Sequence, residues 1–299
     1  MDIKDLRKQI DEKDDELSKI FIERMLLCKE IGKIKAKENV AINASERENE
    51  IIARVAKSSP EELVKYVALL YRNIFSLSKA YQSEFYAANV ELCGKIAGYI
   101  KQTDKVSASV AVFGGENARY AARRSFPVTV ITDFKNADGA IKAIKGGLCE
   151  FAVLPAGEGD CFHAETIKTI AENGLFIVKT IETERTEEEG AEGENQKDGG
   201  RSKYVVLSAE GAIYKGADRV SVALELSNGA GSLLMPVSRI SGAALNITEI
   251  KSIAKNAFRT LVFIEFECDV SSREALNLIF ELKVSSENFY FLGAYKQTV

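Results

Sequence analysis

Along residues 1–38, apolar side chains recur at alternating three- and four-residue steps: Ile3, Leu6, Ile10, Leu17, Ile20, Leu27, Ile31 and Ile34. That period predicts one long helix with a coiled-coil-like seam, an element that needs partners to cover it. Residues 39–44 break the period. Ser45, with Glu48 three residues on, has the capping-box spacing and predicts a second helix to about Lys57. Ser58-Ser59-Pro60-Glu61-Glu62 predicts the start of a third, with Ser59 as N-cap and Pro60 at the first helical position. Leu63, Val67, Leu70, Ile74, Leu77 and Tyr81 carry that helix toward or past Phe85.

Beyond about residue 103 the pattern changes to short apolar runs between helical stretches. Residues 108–113, 128–131 and 151–154 read as strands, and 119–125, 136–145 and 164–173 as helices, which predicts an α/β layer with a largely parallel sheet. Residues 182–200 are acidic, Gly-rich and almost free of apolar side chains, and read as a loop before a strand at 204–207. The last part reads β (219–226), α (232–243), β (247–254), β (260–268), α (273–282), β (289–295), the βαββαβ order of ferredoxin-like folds. The expected fold class is multidomain α and α/β, with units at 1–88, 104–210 and 217–299.

Composition removes several kinds of function. Forty Lys and Arg against 44 Asp and Glu leave a formal charge of −4, without an overall basic field for nucleic acid or an anionic membrane. Cys28, Cys93, Cys149, Cys161 and Cys268 are scattered and lack a Cys-x-x-Cys pair, so they read as reduced thiols rather than disulfides or zinc ligands. The amino-terminal residues show no signal pattern and no run has the length of a membrane span, so the expected location is cytoplasmic. The single histidine, His163, limits Ser-His-Asp or Cys-His chemistry to itself. Cys161 lies two residues away, but nothing around the pair resembles a nucleophile elbow, and His163 reads as an exposed or packing residue.

The chemical signal is charge on the apolar seam. Arg24 occupies the seam position of Ile3, Ile10, Leu17 and Ile31, and Lys13 occupies the other. A buried guanidinium without a partner is very costly, so Arg24 requires either a neighbouring carboxylate or an anionic ligand; pattern alone leaves both open. Lys35, eleven residues on, returns to nearly the same face about 16 Å along the axis, so the two cations can converge on a small dianion. Arg7 lies about 25 Å from Arg24 and is turned by about 100°, so it can join them only from an antiparallel second copy.

The string Leu6-Arg7, Ile10-Asp11, Ile22-Glu23-Arg24, Ile31-Gly32-Lys33-Ile34-Lys35, Glu46-Arg47-Glu48 and Ser78-Lys79-Ala80-Tyr81-Gln82 resembles the all-helical chorismate mutase domain of the bifunctional P-protein family. The resemblance implies a three-helix, intertwined homodimer that converts chorismate to prephenate. It places the positions of Arg24 and, from the partner subunit, Arg7 on the substrate carboxylates, and those of Lys35 and Gln82 on the ether oxygen. Arg47, Glu48 and Ser78 complete the substrate pocket. Ala44 stands where the family usually has Asp. The reaction is a unimolecular Claisen rearrangement and needs no nucleophile, metal or cofactor. Fixed cations that stabilise charge on the ether oxygen suit it.

Residues 104–210 resemble the family's prephenate dehydratase part in a degenerate form. Gly114-Gly115-Glu116-Asn117-Ala118-Arg119-Tyr120 stands for Gly-Pro-Glu-Gly-Thr-Tyr-Ser, Pro155-Ala156-Gly157-Glu158 for Pro-Ile-Glu-Asn, and Ser202-Lys203-Tyr204 for Thr-Arg-Phe. Ser202 keeps a hydroxyl, whereas Lys203 does not replace a bidentate Arg. A second lobe of roughly 75 to 100 residues, domain-sized, is replaced by the short segment 182–200, so one wall of the cleft is expected to be missing and dehydration lost. The final unit resembles an ACT regulatory domain through Gly229-Ala230-Gly231-Ser232-Leu233-Leu234 and Leu245-Asn246-Ile247-Thr248. Gly229, Ala230, Leu233 and Asn246 are then the candidate positions for a phenylalanine effector, although Lys251-Ser252-Ile253-Ala254 replaces the family's Glu-Ser-Arg-Pro. Two other readings stay open: a fully bifunctional mutase and dehydratase, and a non-catalytic regulatory dimer.

Overall fold

The computed structural model describes residues 2–38, 40, 42, 45–101, 103–159, 161–184, 201–229 and 231–298. Ala44, most of the acidic segment and Ala230 lie outside them. The chain divides into two compact units, Met1–Leu92 and Cys93–Val299.

In the first unit the long apolar period becomes helix α1, Ile3–Glu38, and the capping-box segment opens α2, Ser45–Lys57. A 3-10 turn at Glu61–Leu63 leads into α3, Val64–Ser83. Ser59 does not cap α3 as expected. Its hydroxyl donates 2.7 Å to the Val55 carbonyl in the last turn of α2, which also accepts the Ser58 amide at 3.2 Å. Helix α3 also stops before Phe85. The amides of Phe85 and Tyr86 turn back to the carbonyls of Gln82 and Ser83, three residues earlier, and this tightening ends the helix without Gly or Pro. A fourth helix, α4 (Ala87–Tyr99), follows.

Helices α1 and α2 both pack on α3. The contact of α1 with α3 passes through Gly32, where a Cβ would lie 2.9 Å from Gln82 Cα and 3.1 Å from the Phe85 ring. Only a residue without a side chain lets the two backbones approach this closely.

The second unit contains β1 (Ser107–Val112), α5 (Gly115–Ser125), β2 (Val128–Asp133), α6 (Ala137–Lys145), β3 (Phe151–Glu158), β4 (Cys161–Phe162) and α7 (Ala164–Asn173). Strands β5 (Phe176–Glu184) and β6 (Arg201–Ser208) follow. Then come β7 (Arg219–Ser227), α8 (Leu234–Gly242), β8 (Ile247–Ala254), β9 (Arg259–Glu267), α9 (Arg273–Val284) and β10 (Asn288–Thr298), in the βαββαβ order expected. All ten strands form one sheet in the order β2-β1-β3-β6-β5-β10-β7-β9-β8, with β4 beside β3.

The sheet is mixed, not largely parallel. Strand β1 runs parallel to β2 and β3, and β10 runs parallel to β5. Strand β6 enters antiparallel between β3 and β5, and the pairs β10–β7, β7–β9 and β8–β9 are antiparallel. Helix α5 crosses from β1 to β2 and α6 from β2 to β3 on the other side of β1, which keeps these three strands parallel. The expected loop at 182–200 also begins too early, because Glu182, Thr183 and Glu184 belong to β5 and pair with Lys203, Ser202 and Arg201. Glu182 is buried there, accepting from Gln297 at 2.6 Å and pairing with Arg201 at 3.3 Å. Partners so distant in sequence make an acidic residue look like loop until the sheet forms.

One core cluster joins α6 and α7 to the sheet, and includes Phe162, Ile167, Ile170, Ala223, Phe263 and Tyr295. A second lies under α5 around Val110, Ala118, Phe126 and Tyr204.

Candidate functional site

The seam cation reaches α3. Arg24 is half-buried, and its Nη1 donates to the Ser78 hydroxyl and lies 3.7 Å from Cys28 Sγ, while its guanidinium sits 5.7 Å from the centre of the Phe75 ring. Ser78 is itself buried and donates 2.6 Å to the Ile74 carbonyl, an acceptor that fixes its rotamer. The partners of Arg24 are thus a hydroxyl, a thiol and a π face, and among the described residues it makes no salt bridge. Of the two partners open at the sequence level, the neighbouring carboxylate is not the one found.

Gln82 lies one helical turn past Ser78 on α3 and is buried against Gly32 of α1. Its Oε1 is buried without a hydrogen-bond partner among the described residues. Rotating the amide by 180° exchanges Oε1 and Nε2, so the same side chain can present a donor to an acceptor oxygen. Lys35, three residues beyond Gly32, is half-buried, and its ammonium donates 3.1 Å to the Ile42 carbonyl. Arg24 and Ser78 on one level, and Gly32 and Gln82 on the next, run in the same sense along α1 and α3.

Glu48 projects from α2 to α3, where Lys79 pairs with it at 3.0 Å. Lys79 was not among the residues expected at the site. Its signal was available, since Phe75, Ser78, Lys79 and Gln82 have the i, i+3, i+4, i+7 spacing of one helical face. Arg47, next to Glu48, is exposed. Arg7 lies on the exposed amino-terminal half of α1, seventeen residues before Arg24, and the chain by itself does not bring it to the others.

In the second unit the three dehydratase-like segments do meet. Gly114, with φ of 120°, sits where a Cβ would fall 2.8 Å from the Pro155 ring, and Glu158 stands opposite Ser202 across β3 and β6. The side chains nearby are otherwise engaged. Arg119 makes a bidentate pair with Asp133, both contacts at 2.9 Å, and Glu116 accepts from Arg119 and Arg123. Lys203 is buried, with its ammonium 4.3 Å from the centre of the Phe162 ring. Asn117, Tyr120, Arg124, Thr183 and Arg201 line a cavity of about 380 Å³ beside these segments.

The effector-like positions do not converge. Gly229 follows the end of β7 beside the start of β9, where Asn228 N donates to Phe258 O. Exposed Asn246 precedes β8 beside the end of β9 and donates 3.2 Å to Glu267. The nine residues of β9 separate them by roughly 27 Å at about 3.3 Å per residue. Half-buried Leu233 precedes α8, on the Gly229 side.

Among the described residues no group of three or more His, Cys, Asp and Glu side chains gathers that could hold a metal ion. No helix among them is long and apolar enough to cross a membrane.

Residues 6–83 match the family described as chorismate mutase type II. A bifunctional chorismate mutase/prephenate dehydratase from Aquifex aeolicus (strain VF5) is 22% identical over 369 aligned positions, which take in 100% of this chain and 99% of that one. The prephenate dehydratase from Streptococcus mutans superposes with a TM-score of 0.51 at 21% identity, covering 64% of this chain and 99% of its own. Prephenate dehydratase from Arthrobacter aurescens, in complex with L-Phe, gives 0.51 at 13% identity, with 62% and 89% covered. A structure described as GqqA, a novel type of quorum quenching acylase, also gives 0.51, at 19% identity with 62% and 94% covered. At these identities the likeness to solved structures shows a shared fold for the mixed α/β region.

Proposed function

We propose that this chain, in which a chorismate mutase type II domain precedes a region of prephenate dehydratase-like fold, rearranges chorismate to prephenate in aromatic amino acid biosynthesis in the cytoplasm. The observation that carries this reading is Arg24, a half-buried cation on an apolar seam whose contacts among the described residues are all neutral. A guanidinium held this way lacks a compensating charge, and a carboxylate of the substrate supplies it.

The chemistry follows from these residues. Arg24 and the partner subunit's Arg7 grip the two carboxylates and hold the compact conformer of chorismate, converting a floppy substrate into a near-attack geometry. Lys35 and Gln82 donate to the ether oxygen, where negative charge grows as the C–O bond breaks and the new C–C bond forms. Ser78, Arg47 and Glu48 line the rest of the pocket. No proton leaves the substrate, so the absence of a histidine from this group of residues is no obstacle.

The chain acts as a homodimer in this reading. Ile3, Ile10, Leu17 and Ile20 on α1 are 67%, 58%, 52% and 63% exposed, a continuous apolar seam that a second copy covers while delivering its Arg7.

In the same reading residues 104–210 form a dehydratase-like lobe without dehydratase turnover, and 217–299 form an ACT-like module that serves assembly rather than phenylalanine control. The aligned relative spans 369 positions against 299 residues here, and β5 pairs directly with β6 on either side of the shortened segment. Dehydration with loss of CO₂ needs a positioned acid inside an enclosed pocket, and a single lobe cannot surround prephenate. One observation favours the bifunctional alternative, the juxtaposition of Ser202 and Glu158.

A two-part assay of the purified chain tests both. Chorismate loss without phenylpyruvate is expected. Unchanged chorismate removes the mutase reading and leaves the regulatory dimer. Phenylpyruvate formed from prephenate at neutral pH, well above the spontaneous rate and abolished by Ser202→Ala, establishes the bifunctional one.

A further inference from the structure

We infer that Lys79 is a positioning and specificity-determining residue of the mutase site, fixing Glu48 and cancelling its charge so that a dianionic substrate can bind; this rests on the mutase reading above. The Lys79 ammonium lies 3.0 Å from Glu48 Oε1 and 3.1 Å from Oε2, astride the carboxylate rather than at one of its oxygens. The two side chains are 19% and 22% exposed, so water screens the contact less than it screens a surface pair. Lys79 follows Ser78 directly and precedes Gln82 by three residues, while Glu48 comes from α2. The pair therefore joins α2 to the face of α3 that carries the other site residues.

The charge balance gives the contact its role. The proposed pocket holds cations for the substrate's two carboxylates, namely Arg24, Lys35, Arg47 and the partner subunit's Arg7, and one anion, Glu48. An uncompensated carboxylate beside a dianion repels it in the ground state and in the transition state alike, because both carry the same two carboxylates. Lys79 removes that repulsion and leaves the Glu48 oxygens free to accept a hydrogen bond from the substrate's ring hydroxyl. Such an effect is uniform binding, so it is read in KM rather than in kcat.

The experiment is a double-mutant cycle on the full chain, measured as chorismate turnover in Lys79→Met, Lys79→Arg, Glu48→Gln and Lys79→Met/Glu48→Gln. Lys79→Met is expected to raise KM roughly tenfold with kcat within about threefold, the scale of one partly screened charge contact. Lys79→Arg keeps KM near that of the unsubstituted chain. The double variant regains most of the lost KM, because Gln keeps an acceptor oxygen and removes the charge that Lys79 was opposing. A contact that merely ties α2 to α3 gives the opposite result, with the double variant no better than Lys79→Met.

Lys79→Gln serves the same cycle if the Met variant fails to fold, as judged by its thermal transition. An unchanged KM on removing the ammonium, or failure of Glu48→Gln to restore it, overturns the assignment while leaving the mutase intact. If the unsubstituted chain leaves chorismate unchanged, the mutase reading fails and takes this one with it.

Discussion

The two compact units distribute their apolar residues in opposite ways. Among the described residues of Met1–Leu92, the buried apolar side chains are Cys28, Ile42 and Phe75, while Leu6, Ile10, Leu17, Leu26, Leu27 and Ile31 stay 45% to 67% exposed. In Cys93–Val299, residues such as Val110, Phe126, Phe162, Ile170, Val205 and Phe263 are fully enclosed by the chain's own helices and sheet. The second unit thus completes its core from a single chain. The first leaves its apolar surface exposed, and in the proposed homodimer a second copy covers it, so that association contributes to its stability and proposed activity. The difference also extends to charge. Buried acids in the second unit, Glu225 and Glu265, have cationic partners, whereas Arg24 in the first makes no salt bridge to a carboxylate among the described residues.

The sharpest way to break this contrast is through the enclosed core. Phe263 is fully buried and its ring packs 5.2 Å from that of Phe162. Phe263→Ala is expected to destabilise the second unit by about 3 to 5 kcal/mol, read as a lower denaturant midpoint. That loss does not vary with protein concentration, unlike the transition of the first unit. A concentration-dependent midpoint for both would erase the distinction.

Next in size are the charge-stabilising residues of the first unit. Arg24→Ala and Lys35→Ala should each lower kcat/KM for chorismate by on the order of 10²-fold or more, with the thermal transition of the second unit unmoved. Near-normal turnover in both variants contradicts the site. A smaller effect tests the shared seam. Mixing Arg7→Ala chains with Arg24→Ala chains places both defects in one pocket of each heterodimer and leaves the other intact. Verified heterodimers should recover about half of the unsubstituted turnover.

The smallest effect concerns pH. Glu225 is held below the usual carboxylate range by the Asn288 amide first and then by Lys255 and Arg259, with burial opposing them. Its folded form therefore takes up a proton less readily than its unfolded form, and it contributes stability in full above about pH 4 to 5. As pH falls through the folded value that contribution disappears. Glu225→Gln should flatten the acid limb of the melting temperature, read as a smaller fall between neutral pH and about pH 4 than in the unsubstituted chain. Glu249, raised by burial despite its contact with the Phe162 amide, acts in the opposite direction and should not be altered together with Glu225.

How much of this could be read beforehand depended on the range of the interactions involved. Helix α1, the bounds of α2, the order β7-α8-β8-β9-α9-β10 and the presence of Arg24 and Lys35 on one face were all legible, because a helical or strand period is set by neighbours within a few residues. What the linear pattern left open needed partners from elsewhere in the chain. Whether Arg24 meets a carboxylate was decided only when α3 brought Ser78 and Phe75 against it, 54 residues away in the case of Ser78. The place of Lys79 depended on Glu48, 31 residues earlier. Glu182 became a strand residue through Arg201 and Gln297, and β6 took its antiparallel place because a strand inserted between two others obeys the pairing of both. Gly32 sits within the helical period of α1, and only its crossing with α3 at Gln82 made a residue without a side chain a requirement there. Local period is a property of the chain, whereas compensation of a buried charge and the closeness of two backbones are properties of the packed fold.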